Sequence, residues 1–240
     1  LQSSSDTEYI TSSWVGVIKA LRGEVYCERN NLTQAQELIE EGFEICNQAP
    51  GVKGKVVGFF INIIRLRYYF TTKSFNQVQE VFESLQGLAE EELNVYLINF
   101  ITAWQARFWL EPEYPADTGW KEAFKLLSSR GVKPENEPET FQLLEYLVLS
   151  RVLLAGSLWK EAGELLQDIL DHSLQSDLPR MELESRLLLA RLYDNQGKTT
   201  TAYEQLEQAL DIAAYRGYFR TIVNEGKPIA SLFYRFTPDE

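Results

Sequence analysis

One short pattern returns five times along the chain and limits the possible folds more than any other feature. A small or β-branched residue, Ala35, Val78, Ala123, Ala162 and Ala202, recurs at spacings of 43, 45, 39 and 40 residues. Four residues beyond these anchors stand Ile39, Phe82, Leu127, Leu166 and Leu206. Nine residues before them stand Tyr26, Tyr69, Leu153 and Tyr193, with a gap in the third unit. A spacing of four places two residues on one helix face. The position nine back lies across a turn: Asn30-Asn31, Lys73-Ser74, Thr118-Gly119, Gly156-Ser157 or Gly197-Lys198. Each unit therefore reads as helix, turn, helix. The small anchor lets the two helices of a pair approach, and the large residues fill the space between neighbouring pairs.

Helix pairs repeated in this way stack into an α-solenoid, because a single pair cannot bury its apolar face alone. The fold class is all-α: a tetratricopeptide-like superhelix of about five helix pairs, with repeats longer than the usual unit of about 34 residues. In the third unit, five extra residues lie between Trp109 and Trp120. Pro112 and Pro115 forbid a continuous helix there. The Pro-rich stretch from Gly131 to Pro138 is a loop, not a boundary, since the repeat resumes after it. Residues 1–240 are thus expected to form a single helical-repeat domain, capped at about 217–240. There Gly226-Lys227-Pro228 places proline at a helix start and Ile229–Phe236 reads as a terminal helix on the last pair.

Charge and motif content exclude several functions. With 35 acidic against 23 basic residues the net charge is −12, which repels a phosphate backbone, so no direct nucleic-acid binding is expected. No apolar run approaches the roughly 20 residues needed to span a bilayer, and Leu1–Asp6 is too short and polar for a signal peptide. The expectation is a cytoplasmic protein without membrane contact. Cys27 and Cys46 have no metal-ligand spacing and read as buried free thiols. The one histidine, His172, lies in Asp171-His172-Ser173 and reads as a solvated loop residue. Phosphate-binding, nucleophile-elbow and metalloprotease patterns are absent. No catalytic residue, metal ligand or cofactor is assigned, and the chain reads as a binding module.

The candidate ligand site follows from the repeat register. First helices line the concave face of such solenoids, and the residue eleven before each anchor should point there. That column holds Glu24, Arg67, Arg151 and Arg191, joined by Arg107 in the third unit by local match. Four arginines in one column of an acidic chain suit carboxylates, phosphates or sugar hydroxyls. Phe70, Asp194 and Asn195, at the positions eight and seven before their anchors, are further candidates. The competing expectation is that the arginines pair with glutamates of neighbouring repeats and hold the stack together. Tyr26, Tyr69, Trp109 and Tyr193 sit at packing spacing and belong to the core. The run Glu90-Glu91-Glu92 reads as a solvated helix end.

One stretch near the end also carries a family resemblance. Ala190-Arg191-Leu192-Tyr193, Gln196-Gly197-Lys198, Ala202, Leu206 and Ala209-Leu210 are followed by Arg216-Gly217-Tyr218-Phe219-Arg220 and Glu225-Gly226-Lys227-Pro228-Ile229. This order resembles the end of the helical-repeat region in the MalT-like, large ATP-dependent members of the LuxR family of bacterial transcription regulators. Gly23–Leu32 and Leu144–Ala155 resemble that family's repeats as well. The resemblance implies an effector-sensing region that binds a small-molecule inducer and controls activation of a longer protein. In that family a nucleotide-binding domain precedes the repeats and a helix-turn-helix domain follows; neither has a match here, so the chain is expected to be a middle region. The alternative is a repeat scaffold that takes a peptide or protein partner.

Overall fold

Amphipathic segments alternate with turns along the whole chain, and each segment forms a helix. The computed structural model describes the backbone over residues 2–48, 51–92, 95–111 and 116–236, and side chains over residues 14–48, 57–88, 97–111 and 118–236. The helices are α1 (Gln2–Glu28), α2 (Leu32–Asn47), α3 (Gly51–Thr71), α4 (Phe75–Glu92), α5 (Val95–Phe108), α6 (Ala116–Ser129), α7 (Leu143–Ala155), α8 (Trp159–Gln175), α9 (Pro179–Asn195), α10 (Thr199–Arg216), α11 (Phe219–Val223) and α12 (Lys227–Phe236). A single 3₁₀ turn, Thr140–Gln142, leads into α7. There is no strand among the described residues. The fold is the all-α repeat of helix pairs read from the register.

Four of the hairpin turns share one construction. Asn30, Lys73, Ser157 and Gly197 each stand five residues before an anchor and adopt left-handed φ values of 61°, 58°, 59° and 73°. The next residue's N–H then returns to the carbonyl of Tyr26, Tyr69, Leu153 or Tyr193, at 2.9 Å in every case. These are the 6→1 bonds of a Schellman motif, which satisfy carbonyls the ending helix leaves open. The column nine before the anchors is therefore both a packing position and the place where the backbone turns. The third unit differs. Thr118-Gly119, expected as its turn, lies inside α6, because that helix already begins at Ala116. The preceding Pro112 and Pro115 fall outside the described residues.

The chain divides into two compact units, Leu1–Asn94 and Val95–Glu240. In the first, α1 and α2 cross at small residues: Gly16, Ala20 and Gly23 face Ala35, Ile39, Gly42 and Cys46. The approach is so close that a Cβ at Gly42 would stand 2.5 Å from the Gly16 carbonyl oxygen and 3.0 Å from the Ala20 nitrogen. Ile61, Leu66, Val78 and Leu85 of α3 and α4 are fully buried. Cys27 and Cys46 are free and buried, and burial pushes the Cys46 thiol pKa up.

The second unit contains three pairs, α5 with α6, α7 with α8 and α9 with α10, followed by α11 and α12. Helix α7 is apolar nearly all round, and Leu147, Leu149, Leu153 and Leu154 disappear among its neighbours. Gly156 ends it beneath Trp120, whose ring would stand 2.8 Å from any added Cβ. The anchors Ala123, Ala162 and Ala202 are wholly buried, as Ala35 and Val78 are in the first unit. Gly217, at φ 78°, stops α10. The short helices that follow return to the last pair, where α12 inserts Ile229 and Leu232 beside Leu187 and Leu206. His172 corrects an expectation. It lies in the last turn of α8, half-buried, with Nε2 2.8 Å from Thr140 Oγ1. The apolar register of α8 carries on through buried Ser173 and so draws the neighbouring histidine into the helix.

No helix among the described residues is long and apolar enough to cross a membrane.

Candidate functional site

Arg151 stands four residues before the end of α7, where the register places one residue per repeat on the face shared by the first helices. Its side chain is only 5% exposed. A guanidinium cannot be left in such a place without anions, since the desolvation cost is several kcal/mol. Two carboxylates meet it. Its Nη1 donates to Glu225 Oε2 at 2.7 Å and its Nη2 to Glu225 Oε1 at 2.6 Å, a bidentate pair. The same Nη2 donates to Glu184 Oε2 at 2.9 Å. Glu184 lies on α9, the first helix of the next pair, and also accepts from Arg180 Nε at 3.4 Å. Glu225 comes from the turn between α11 and α12, and its side chain too is 5% exposed.

Two further arginines act on the same carboxylate. Arg107 lies in the last turn of α5 and Arg191 on α9, one repeat to either side of Arg151. Burial, and then the charge of Arg151, push the Arg107 pKa down to about 10 against the pull of Glu225, Glu111 and Glu184. Burial also lowers the Arg191 pKa, with Glu225 opposing. Burial alone would raise the Glu225 carboxyl, but Arg151, Arg107 and Arg191 together hold it below the ordinary carboxylate range. Arg151 moves the other way. Burial would lower it, and its two glutamate partners raise it instead. Among the described residues the Arg191 side chain makes no hydrogen bond, so its donors add positive field to the site without being engaged.

The remaining candidates are distributed over both units. In the first unit Arg67 Nη1 donates to Glu24 Oε1 at 2.7 Å, joining α3 to α1. Phe70, expected on an open face, is instead buried, 7% exposed, with the Lys73 ammonium 5.5 Å from its ring centroid. It falls inward because the position eight before the anchor is a packing position: its register equivalents Cys27 and Leu154 are buried as well. In the second unit Asp194 accepts from Arg235 Nη2 of α12 at 2.7 Å, and Asn195 is exposed at the end of α9. The arginine column thus meets acids in both units, in the arrangement that the sequence reading set beside ligand binding.

Several participants were not legible in the sequence. Glu184 lies seven residues before Arg191, two helical turns away on one face, and that spacing was the available signal. Glu225 and Arg235 come from outside the repeat, so no register pointed to them. In the first unit Arg65, two residues before the predicted Arg67, forms its own network. Its Nε donates to Glu40 Oε1 at 3.3 Å, its guanidinium carbon lies 3.8 Å from the Phe43 ring centroid, and Tyr69 Oη donates to the same Glu40 oxygen at 2.6 Å. No group of three or more His, Cys, Asp or Glu residues that could hold a metal occurs among the described residues.

Helix pairs closed by Schellman turns on small anchors, carrying charged residues on the first-helix face, define a tetratricopeptide-like helical-repeat protein. A family model for the MalT-like TPR region matches residues 1–238, and the chain belongs to that family. Among solved structures it is similar to a Podosopora anserina protein, a candidate kinesin light chain of nearly identical TPR-like repeats. That similarity stands at 21% identity and TM-score 0.47, over 85% of this chain and 97% of the other. A point variant of the same protein matches at 21% identity and TM-score 0.44, over 82% and 96%. No curated protein matches.

Proposed function

We propose that this region receives a small-molecule effector and passes its occupancy to a longer MalT-like regulator of the LuxR family, as a cytoplasmic binding module without catalysis of its own. Family membership supports the class. The observation that carries the reading is the concentration of Arg107, Arg151 and Arg191 on the first-helix face of the second unit, with Arg107 and Arg191 both desolvated and both in the field of Arg151. Scaffold alone does not account for Arg191, whose guanidinium makes no hydrogen bond among the described residues. Unengaged donors on the first-helix face suit a ligand rich in acceptors.

A metabolite panel read by thermal shift of the 240-residue chain, followed by titration calorimetry, tests the reading. The expected result is a saturable shift with one small molecule that is lost in Arg191→Ala. A stoichiometric protein partner with no metabolite shift would replace it by the scaffold reading.

That second reading rests on a separate observation. On α1 the residues Trp14, Ile18, Leu21 and Val25 form an apolar stripe, 59%, 62%, 48% and 50% exposed. The register equivalents of Ile18, Leu21 and Val25 in later repeats are buried: Ile61, Ile64 and Tyr68, and again Ser185, Leu188 and Leu192. A face of this kind suits a helical partner stacked as another repeat would be.

A further inference from the structure

The segment after the last repeat does not simply cover the end of the stack. It turns back to the face of the first helices. Helix α11 and helix α12 both contact α9, and the turn between them delivers Glu225 to Arg151 of α7, one repeat further in. Ten residues on, Arg235 meets Asp194 of α9 at 2.7 Å. Asp194 and Arg151 belong to the register that sequence assigns to ligand. The terminal segment thus lies on that face as a bound ligand would, its carboxylate held by the arginines and its cation by the acid.

This segment is held by few fully buried residues. Thr221, Ile229 and Leu232 are buried, Tyr218, Ile222 and Phe236 pack half-buried on the last pair, and Phe219, Val223, Phe233 and Tyr234 are 53%, 43%, 37% and 80% exposed. Glu225 itself is carried by a turn of three residues, Asn224 to Gly226, with Gly226 at φ 68°. The carboxylate is therefore carried by a turn and not by a packed helix. The site it enters also holds donors that it does not satisfy. Both hydrogen bonds of the Glu225 carboxylate go to Arg151, and the Arg191 side chain stays without a hydrogen bond among the described residues.

Resting on the effector-sensing reading above, we propose that Glu225 is a built-in stand-in for the effector. The arginine site takes a small carboxylate-bearing molecule, which binds by displacing the Glu225 side chain from Arg151 and so frees α11 and α12 from the first-helix face. A ligand with a carboxylate and a second acceptor group replaces the bidentate pair and engages Arg191 as well, which Glu225 does not do. The tethered carboxylate competes at a high effective concentration. Free ligand thus binds the intact chain weakly until that competitor is removed, and the exchange couples occupancy to the position of the terminal segment.

Chemical rescue tests the exchange on the full 240-residue chain. Glu225→Ala leaves Arg151 with Glu184 alone, and acetate, succinate or citrate should then raise the melting temperature above that in chloride of matched ionic strength. Adding Arg151→Met to that variant should abolish the rescue. In Glu225→Gln, which keeps the shape and serves if the alanine variant does not fold, succinate should bind at least about tenfold tighter than to the unaltered chain, since the tethered competitor is weakened. Melting in both variants that is indifferent to every carboxylate overturns the proposal. Should a neutral metabolite shift the unaltered chain while no carboxylate rescues the variants, exchange fails and effector sensing stands. Carboxylate rescue together with a protein partner and no metabolite shift would keep the exchange site and remove the sensing role.

Discussion

Glu225 and Arg151 stand 74 residues apart in the chain and share two hydrogen bonds of 2.6 and 2.7 Å, with each side chain 5% exposed. Breaking such a pair by removing one partner is costly because the other charge stays buried. Glu225→Gln should lose about 3 kcal/mol of stability, at the low end of the range for buried pairs because Glu184 still holds Arg151. Urea unfolding checks this, and a loss below about 0.5 kcal/mol would mean that the pair behaves as an exposed one.

Acid should erase that difference. The carboxyl of Glu225 faces Arg151, Arg107 and Arg191, with Glu184 beside them, and its folded-state pKa is depressed. A group depressed on folding contributes stability that is complete above its unfolded pKa, about 4.3 for Glu, and is lost as pH falls through the folded value. The gap in unfolding free energy between the unaltered chain and Glu225→Gln should be constant above about pH 5.5 and close progressively below the ordinary carboxylate range. A gap that widens on acidification contradicts the assignment.

The two neighbouring arginines should separate cleanly. Arg151→Ala strands Glu225 and should cost about 3–5 kcal/mol. Arg191→Ala removes no hydrogen bond among the described residues and should cost under about 1 kcal/mol. Thermal melting of the two single variants decides; equal losses would show Arg191 to be as structural as Arg151.

Turn geometry supports a stabilising substitution. Ser157 holds φ at 59°, the conformation that Gly197 occupies at the same place in the next repeat. A left-handed non-glycine residue costs roughly 1–2 kcal/mol, offset in part by the greater freedom of glycine when unfolded. Ser157→Gly should raise stability by about 0.5–1 kcal/mol, and Gly197→Ala should lower it by a similar amount. Differential scanning calorimetry checks both, and the same sign for the two would refute the turn assignment.

At the α1–α2 crossing the opposite holds. Gly42→Ala places a methyl 2.5 Å from the Gly16 carbonyl oxygen, a clash with backbone that no rotamer change relieves. A loss of about 1–3 kcal/mol is expected, as for other overpacked sites. Unchanged melting would show that the helices can separate there without cost.

The sequence by itself determined the repeat. Ala35, Val78, Ala123, Ala162 and Ala202 with their large partners four residues on encode helix pairs through spacing alone, because each contact is local and recurs. The same register put Arg151 and Arg191 in one column of the second unit, and Pro228 marked the start of the last helix. What it left open was what the arginines face. Glu184 was within reach of helical spacing, but Glu225 lies outside every repeat, so no periodicity relates it to Arg151. Phe70 is a different case: its register equivalents Cys27 and Leu154 are buried as it is, so the repeat itself marked the position as packing. Only the return of α11 and α12 onto α9 decided that Arg151 is held by a carboxylate from the end of the chain. The physical reason is that an ion pair depends on where two charges meet in space, and a chain that has already folded its repeats can bring any distant side chain to that point.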